Sequence, residues 1–212
     1  MRNDDSKMLS AAFHEAAHAV VSYANGCVVQ QIEIHFSDEL NRWEGSYRHK
    51  LAESYSSGDE PVLLPKSAKV AVAGVLAQAK HQFEQKNGCR LQFSSDNDLG
   101  DWIIFFADKK RTNTTPGVIR IKMRTDDGKI VEDEVDGSLY SGRDTAGFIL
   151  CFEQIKIVPY EDLISEVLAL LDNPARWNAV DRLARRLVEC SPVGTNQLRQ
   201  LSQAEIASEL EK

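Results

Sequence analysis

The chain has 212 residues, enough for one well-packed domain, and its net charge of −7 at pH 7 argues against nucleic acid or an anionic membrane surface as the main partner. Its hydrophobic fraction of 42% and charged fraction of 27% are those of an ordinary globular protein. No apolar run approaches the roughly 20 residues that a membrane-spanning helix needs, and the opening "MRNDDSKMLS" has no apolar signal core. The expectation is a soluble, cytoplasmic protein with no membrane partner.

In chain order, Ser6 or Ser10 is a candidate cap for a helix running to about Tyr23, stopped by Asn25-Gly26. "VVQQIEIHF" and "RWEGSYRH" read as two short strands joined by the turn-like "SDELN", and "LAESYSSGDEP" as a polar loop. "KSAKVAVAGVLAQAKHQFEQK" has helical spacing and ends at Asn87-Gly88. "FSSDNDLGDWIIFFADKK" starts with the capping residues Ser94, Ser95 and Asp96 and continues as an apolar helix. "GVIRIKMRTDDGKIVEDEVDG" alternates around "DDG" and predicts a β-hairpin. A loop follows, then a third strand or a helix start at "FILCFEQIKIV". "YEDLISEVLALLDN" and "PARWNAVDRLARRLVEC" carry apolar residues at i, i+3, i+4 and predict a helical pair, with Pro174 at a first turn. The chain closes with a loop and a polar helix. Together these elements predict an α+β fold, mainly α-helical, in which a small β-sheet accompanies the helices. Cys27, Cys89, Cys151 and Cys190 have no paired spacing, so buried reduced thiols are expected rather than disulfides or a cysteine zinc site. Trp43, Trp102 and Trp177 are expected as core or interface anchors.

The chemistry concentrates in "AAFHEAAHAVVSYANG". Residues i and i+4 lie on one face of a helix, so His14 and His18 can aim two imidazole nitrogens at one point. Two such nitrogens suit Zn²⁺. Glu15, one position round, reaches a water on the metal more readily than the metal itself, and zinc lowers that water's pKa to about 7. H-E-x-x-H thus pairs two metal ligands with a general base. The flanking Ala11, Ala12, Ala16, Ala17 and Ala19 keep the neighbourhood small enough for close packing.

A catalytic zinc usually takes a third protein ligand. No histidine follows at the short spacing of the metzincins. His35 and His49 flank strands or turns and are expected at the surface, and His81, between Lys80 and Gln82, is expected to be solvated. "SSDNDLGD" is the better source. It places Asp96, Asp98 and Asp101 at the start of a helix, and a bare cap needs only one of them.

"FHEAAHAVV" followed much later by "SSDNDLGDW" resembles the peptidase domain of the FtsH-like, ATP-dependent zinc metalloproteases. The likeness covers residues 7 to about 110 and about 160 to 203. It implies a single metallopeptidase domain over residues 1–212, with the hairpin region at about 111–150 as an insertion. It implies Zn²⁺ held by His14, His18 and Asp98, the aspartate coming from the "Asn97-Asp98-Leu99" segment, with Glu15 as the catalytic base. The expected partner is a peptide or unfolded protein segment, not nucleic acid. Ala17 replaces the family's glycine, Gln78 stands where the family has a glutamate, and neither a Walker motif nor a membrane span accompanies the domain. The expected activity is therefore ATP-independent, and "QQIEIHF" is a candidate edge onto which an extended substrate adds. The rival expectation is a catalytically inactive binding or regulatory module that keeps the metal-site fold. A deformylase-type amidase requires a metal-binding cysteine beside a glycine-rich loop, a context that neither Cys27 nor Cys89 has.

Overall fold

The computed structural model describes residues 3–51, 60–97, 118–136, 160–194 and 197–212. Among them are five helices and two three-stranded antiparallel sheets, an α+β fold in which helices predominate. The backbone contacts divide the chain into two compact units, Met1–Ser57 with Asn173–Lys212, and Gly58–Asp172.

The first unit is built on helix α1, Asn3–Ala24. It begins earlier than a Ser6 or Ser10 cap would allow. Asp5 falls in its first turn, where a carboxylate suits the positive end of the helix dipole. Ser10 lies inside the helix and is buried. The stop is where the sequence puts it: Asn25 Nδ2 donates to Val21 O at 2.8 Å, and Gly26 takes the left-handed conformation, φ 80°. Alanines at 12, 16, 17 and 19 are fully buried, so the helix backbone lies close to its neighbours. Those neighbours are strands β1 (Cys27–Ser37) and β2 (Arg42–Leu51) and the helix at Pro174–Glu189.

Strand β1 changes phase halfway. Cys27 and Val29 point to the core, and after a bulge between Val29 and Gln31 so do Ile32 and Ile34. The extra residue, Gln30, lets both halves of the strand bury their apolar side chains. The chain's last strand, Arg199–Ser202, pairs with β1 from Gln31 to Ile34, which puts β1 in the middle of the sheet. This corrects the expectation that "QQIEIHF" presents a free edge. Leu201, opposite Ile32, is fully buried and fixes that register.

The second unit, in chain order, holds a helix at Glu60–Asn87, strands β3 (Leu91–Phe93), β4 (Val118–Thr125) and β5 (Ile130–Asp136), and a helix at Tyr160–Asp172. Numbered through the whole chain, these helices are α2 and α3, the helix at Pro174–Glu189 is α4, the strand Arg199–Ser202 is β6, and the closing helix Gln203–Leu210 is α5. The hairpin predicted from "DDG" is β4–β5. Gly128 adopts φ 84°, and its N–H donates to Thr125 O at 2.9 Å. β3 adds to the free side of β4. Along β4, Ile121 and Met123 are fully buried, while Arg120 and Arg124 are exposed.

Helix α2 is buried almost all round from Ala68 to Phe83, and it takes charged residues inside with it. Lys80 is 2% exposed. Its ammonium donates to Asp172 Oδ1 at 2.6 Å and to Leu171 O at 3.0 Å, both at the end of α3, and lies 5.4 Å from the centroid of the Phe93 ring. Asp172 also accepts from the Phe93 N–H at 2.9 Å, so one buried ion pair ties α2, α3 and β3 together. Burial pushes the Asp172 carboxyl up from its ordinary value, against the opposing pull of Lys80 and the Phe93 N–H. His81, expected to be solvated, is buried beside it because this face of α2 packs rather than faces water.

The C-terminal pair, α3 and α4, forms as the spacing predicts. α3 buries Leu163, Ile164, Val167 and Leu171 against α2, and α4 packs on α1. Asn173 caps α4, its Oδ1 accepting from Ala175 N at 3.1 Å and Arg176 N at 3.2 Å, with Pro174 at the first position. Trp177 meets Phe13 of α1 at 5.6 Å between ring centroids. Trp43 and Trp177 are core residues, and Trp102 lies outside the described residues. So do the predicted helix after "SSDN" and the strand or helix at "FILCFEQIKIV". Of the cysteines described, Cys27 is buried as expected, but Cys89 is exposed and Cys190 half-buried; all three are free thiols.

Helix α5 opens with a capping pair. Glu205 Oε2 accepts from the Ser202 N–H at 2.9 Å and the Ser202 hydroxyl at 2.7 Å, and these bonds hold the Glu205 carboxyl below its ordinary value. A depressed carboxylate contributes stability above its unfolded pKa of about 4.3 and loses it as pH falls through the lower folded value. Replacing Glu205 with Ala therefore costs about 1 kcal/mol at pH 7 and less at a pH below the lowered folded value. Urea denaturation of both proteins at the two pH values measures the difference.

Candidate metal centre

His14, Glu15 and His18 occupy consecutive turns of α1 on the face that meets β1 and β2. All three are buried, at 6%, 5% and 1% exposure. Buried imidazoles and a buried carboxylate on an alanine-rich helix run against the usual placement of such groups, and together they are a set that could hold a cation. One nitrogen of each imidazole and one oxygen of Glu15 lie within 4.8 Å of one another. The imidazole rings are 4.7 Å apart between centroids and edge-on at 77°. Ligand atoms around a tetrahedral zinc stand roughly 3.3 Å apart, so small side-chain rotations bring this set to a metal. Two imidazoles with a neighbouring carboxylate are donors that Zn²⁺ accepts. The residues present fit the ion.

The floor of the site is strand β2. Trp43, Gly45, Tyr47 and His49 alternate along it and share one face, since the register pairs Gly45 with Ile34 and Tyr47 with Ile32, both core residues. Tyr47 stacks on His18, 4.9 Å between centroids and 21° between planes, and His49 stacks on Tyr47 at 5.3 Å and 8°. His49 is exposed, as expected, and is the outer member of a ring stack that begins at His18. Loss of water around its ring, and then repulsion from His18, lower its pKa below the ordinary imidazole value. His35 is half-buried on β1.

Gly45 and Tyr47 escape a search for titratable motifs. A glycine inside a strand is nonetheless a signal, because it weakens the strand and marks a close approach. Tyr47 carries no such signal in the sequence.

Asp98, the ligand that the family resemblance supplies, lies outside the described residues, as does Asp101. Asp96 is described and exposed, in a turn whose N–H donates to Ser94 Oγ at 3.2 Å. Ser94 Oγ thus accepts from the backbone in this turn; the helix that it, Ser95 or Asp96 was expected to cap lies outside the described residues. Asn97, immediately before Asp98, is fastened to β4: its Nδ2 donates to Lys122 O at 2.9 Å, and its Oδ1 accepts from the Lys122 N–H at 2.7 Å. A side chain bonded to both polar groups of one backbone residue anchors the chain leading to Asp98. Gln78 is buried on α2. No helix among the described residues is long and apolar enough to cross a membrane. No protein-family model matches this chain, and no curated protein matches its sequence.

Proposed function

We propose that the protein is a zinc-dependent metallopeptidase of the FtsH-like kind, hydrolysing peptide bonds in peptides or unfolded segments without ATP. The observation that carries this reading is the convergence of His14, Glu15 and His18, buried and within 4.8 Å, on one face of α1. When bound, Zn²⁺ supplies a Lewis acid for the scissile carbonyl and brings the pKa of a water to about 7. His14 and His18 hold the ion as neutral imidazoles, and the family resemblance assigns the third position to Asp98. Glu15 takes a proton from the attacking water and returns it to the leaving amine. An extended substrate finds its strand partner in β2, which is an edge of its sheet among the described residues and carries Tyr47 against His18.

The test is cleavage of an unfolded, casein-like substrate by the zinc-loaded protein. Hydrolysis that stops with a chelator and returns with Zn²⁺ supports the peptidase. Zinc bound at His14 and His18 without cleavage supports the inactive binding module instead.

A further inference from the structure

Gly45 has no backbone reason to be glycine. Its φ is not positive, unlike that of Gly26, Gly88, Gly128 and Gly194, so any residue could adopt its conformation. In a strand a glycine costs stability, through lost packing and a floppier unfolded chain. The reason is steric and specific. A Cβ at Gly45 would overlap the Glu15 side chain, 2.5 Å from Oε1 and 2.6 Å from Cδ, with Cγ also in collision. Real Cβ atoms essentially never approach so closely. Because Glu15 is only 5% exposed, it cannot simply swing into solvent. Two residues further along the same face, Tyr47 covers the His18 ring in a nearly parallel stack.

We propose that Gly45 and Tyr47 are positioning residues of the metal centre: Gly45 is the notch that sets where the Glu15 carboxylate lies, and Tyr47 is the plate that sets the plane of the His18 imidazole. Neither touches the reacting atoms. Strand β2 thus positions the proton-transfer group and one ligand from the side opposite α1's own backbone. Glu15 and His18 are three apart on a helix, and Gly45 and Tyr47 two apart on a strand; the strand runs in the same direction as the helix here, so one strand serves both. The catalytic consequence rests on the metallopeptidase reading; the two contacts themselves do not.

The experiment uses the full chain, first metal-free. Gly45→Ala lowers the thermal midpoint by about 5 °C. In a Glu15→Ala background the same substitution costs less than about 1 °C, since the colliding atoms are gone. In the metal-free protein, Tyr47→Leu shifts the His18 ring-proton resonances downfield, while Tyr47→Phe leaves them in place. With Zn²⁺ alone as the probe, Tyr47→Leu weakens binding about tenfold against a competing chelator, and Tyr47→Phe restores it to within about twofold. Gly45→Ala keeps zinc affinity within about threefold and lowers kcat about a hundredfold, with KM within about twofold. A Gly45→Ala cost that is the same with and without the Glu15 side chain overturns the notch. A His18 resonance indifferent to Tyr47→Leu overturns the plate. A wild-type protein that neither binds zinc nor cleaves peptide defeats the metallopeptidase reading, while the metal-free measurements still decide these contacts.

Discussion

Replacing Glu15 with Gln lowers peptide hydrolysis by about 10³-fold and leaves zinc bound. Gln has the size of Glu, so it fills the space beside Gly45 without a new collision, and it leaves the imidazoles of His14 and His18 untouched. What it lacks is a basic oxygen. A positioned general base contributes about 10²–10⁴-fold, and its removal acts on the transition state rather than on substrate binding. The loss therefore falls on kcat, with KM within about twofold of the parent. Steady-state kinetics on an unfolded substrate, with elemental analysis of the same sample, separates a lost base from a lost metal. A variant that cuts as fast as its parent removes Glu15 from the mechanism.

Replacing Lys80 with Met destabilises the protein by about 3 kcal/mol. Met matches the length of the lysine stem and fills the same space among Phe93, Leu171 and Asp172. The cost is electrostatic. Asp172 is left partly buried with no cation on its Oδ1, and removing one partner of a buried pair costs about 3–5 kcal/mol. The lower end applies because the Asp172 side chain retains 23% exposure and the Phe93 N–H. Replacing Asp172 with Asn in the same chain recovers most of the loss, since a neutral amide tolerates burial. The pH dependence has a definite sign. Burial already raises the Asp172 pKa in the folded protein, and without Lys80 the chief opposing influence is gone, so it rises further. A raised folded pKa means that the native state binds the proton more tightly. The Lys80→Met deficit therefore shrinks as pH falls from about 7 toward about 4. Urea denaturation across that range measures it, and a deficit independent of pH would show that the ion pair contributes nothing.

The motif helix, the β4–β5 hairpin and the start of α4 are legible in the sequence because each rests on local chemistry. His14, Glu15 and His18 are set together by helix geometry alone, "DDG" requires one residue at positive φ, and Asn173-Pro174 is a cap followed by a first turn. What escapes the sequence depends on distant partners. Strand β6 is four residues long and mostly polar; it is a strand because Leu201 meets Ile32, some 170 residues earlier. Its arrival turns "QQIEIHF" from an edge into the centre of a sheet. Lys80 and His81 look solvated beside Gln82, yet the small side chains of α2 pack close on its neighbours and draw both inside, where Asp172 receives the ammonium. In the metal centre, the imidazoles and the carboxylate announce themselves, whereas Gly45 and Tyr47 become legible only once the register of β2 is known, because a one-residue slip would turn both away from α1.

The most direct measurement is anomalous diffraction at the zinc absorption edge from crystals of the zinc-loaded protein. The account predicts one peak beside the buried face of α1 that carries His14 and His18, about 2.0–2.1 Å from a nitrogen of each. A peak away from both histidines, or imidazoles that point to separate places with no zinc between them, contradicts it.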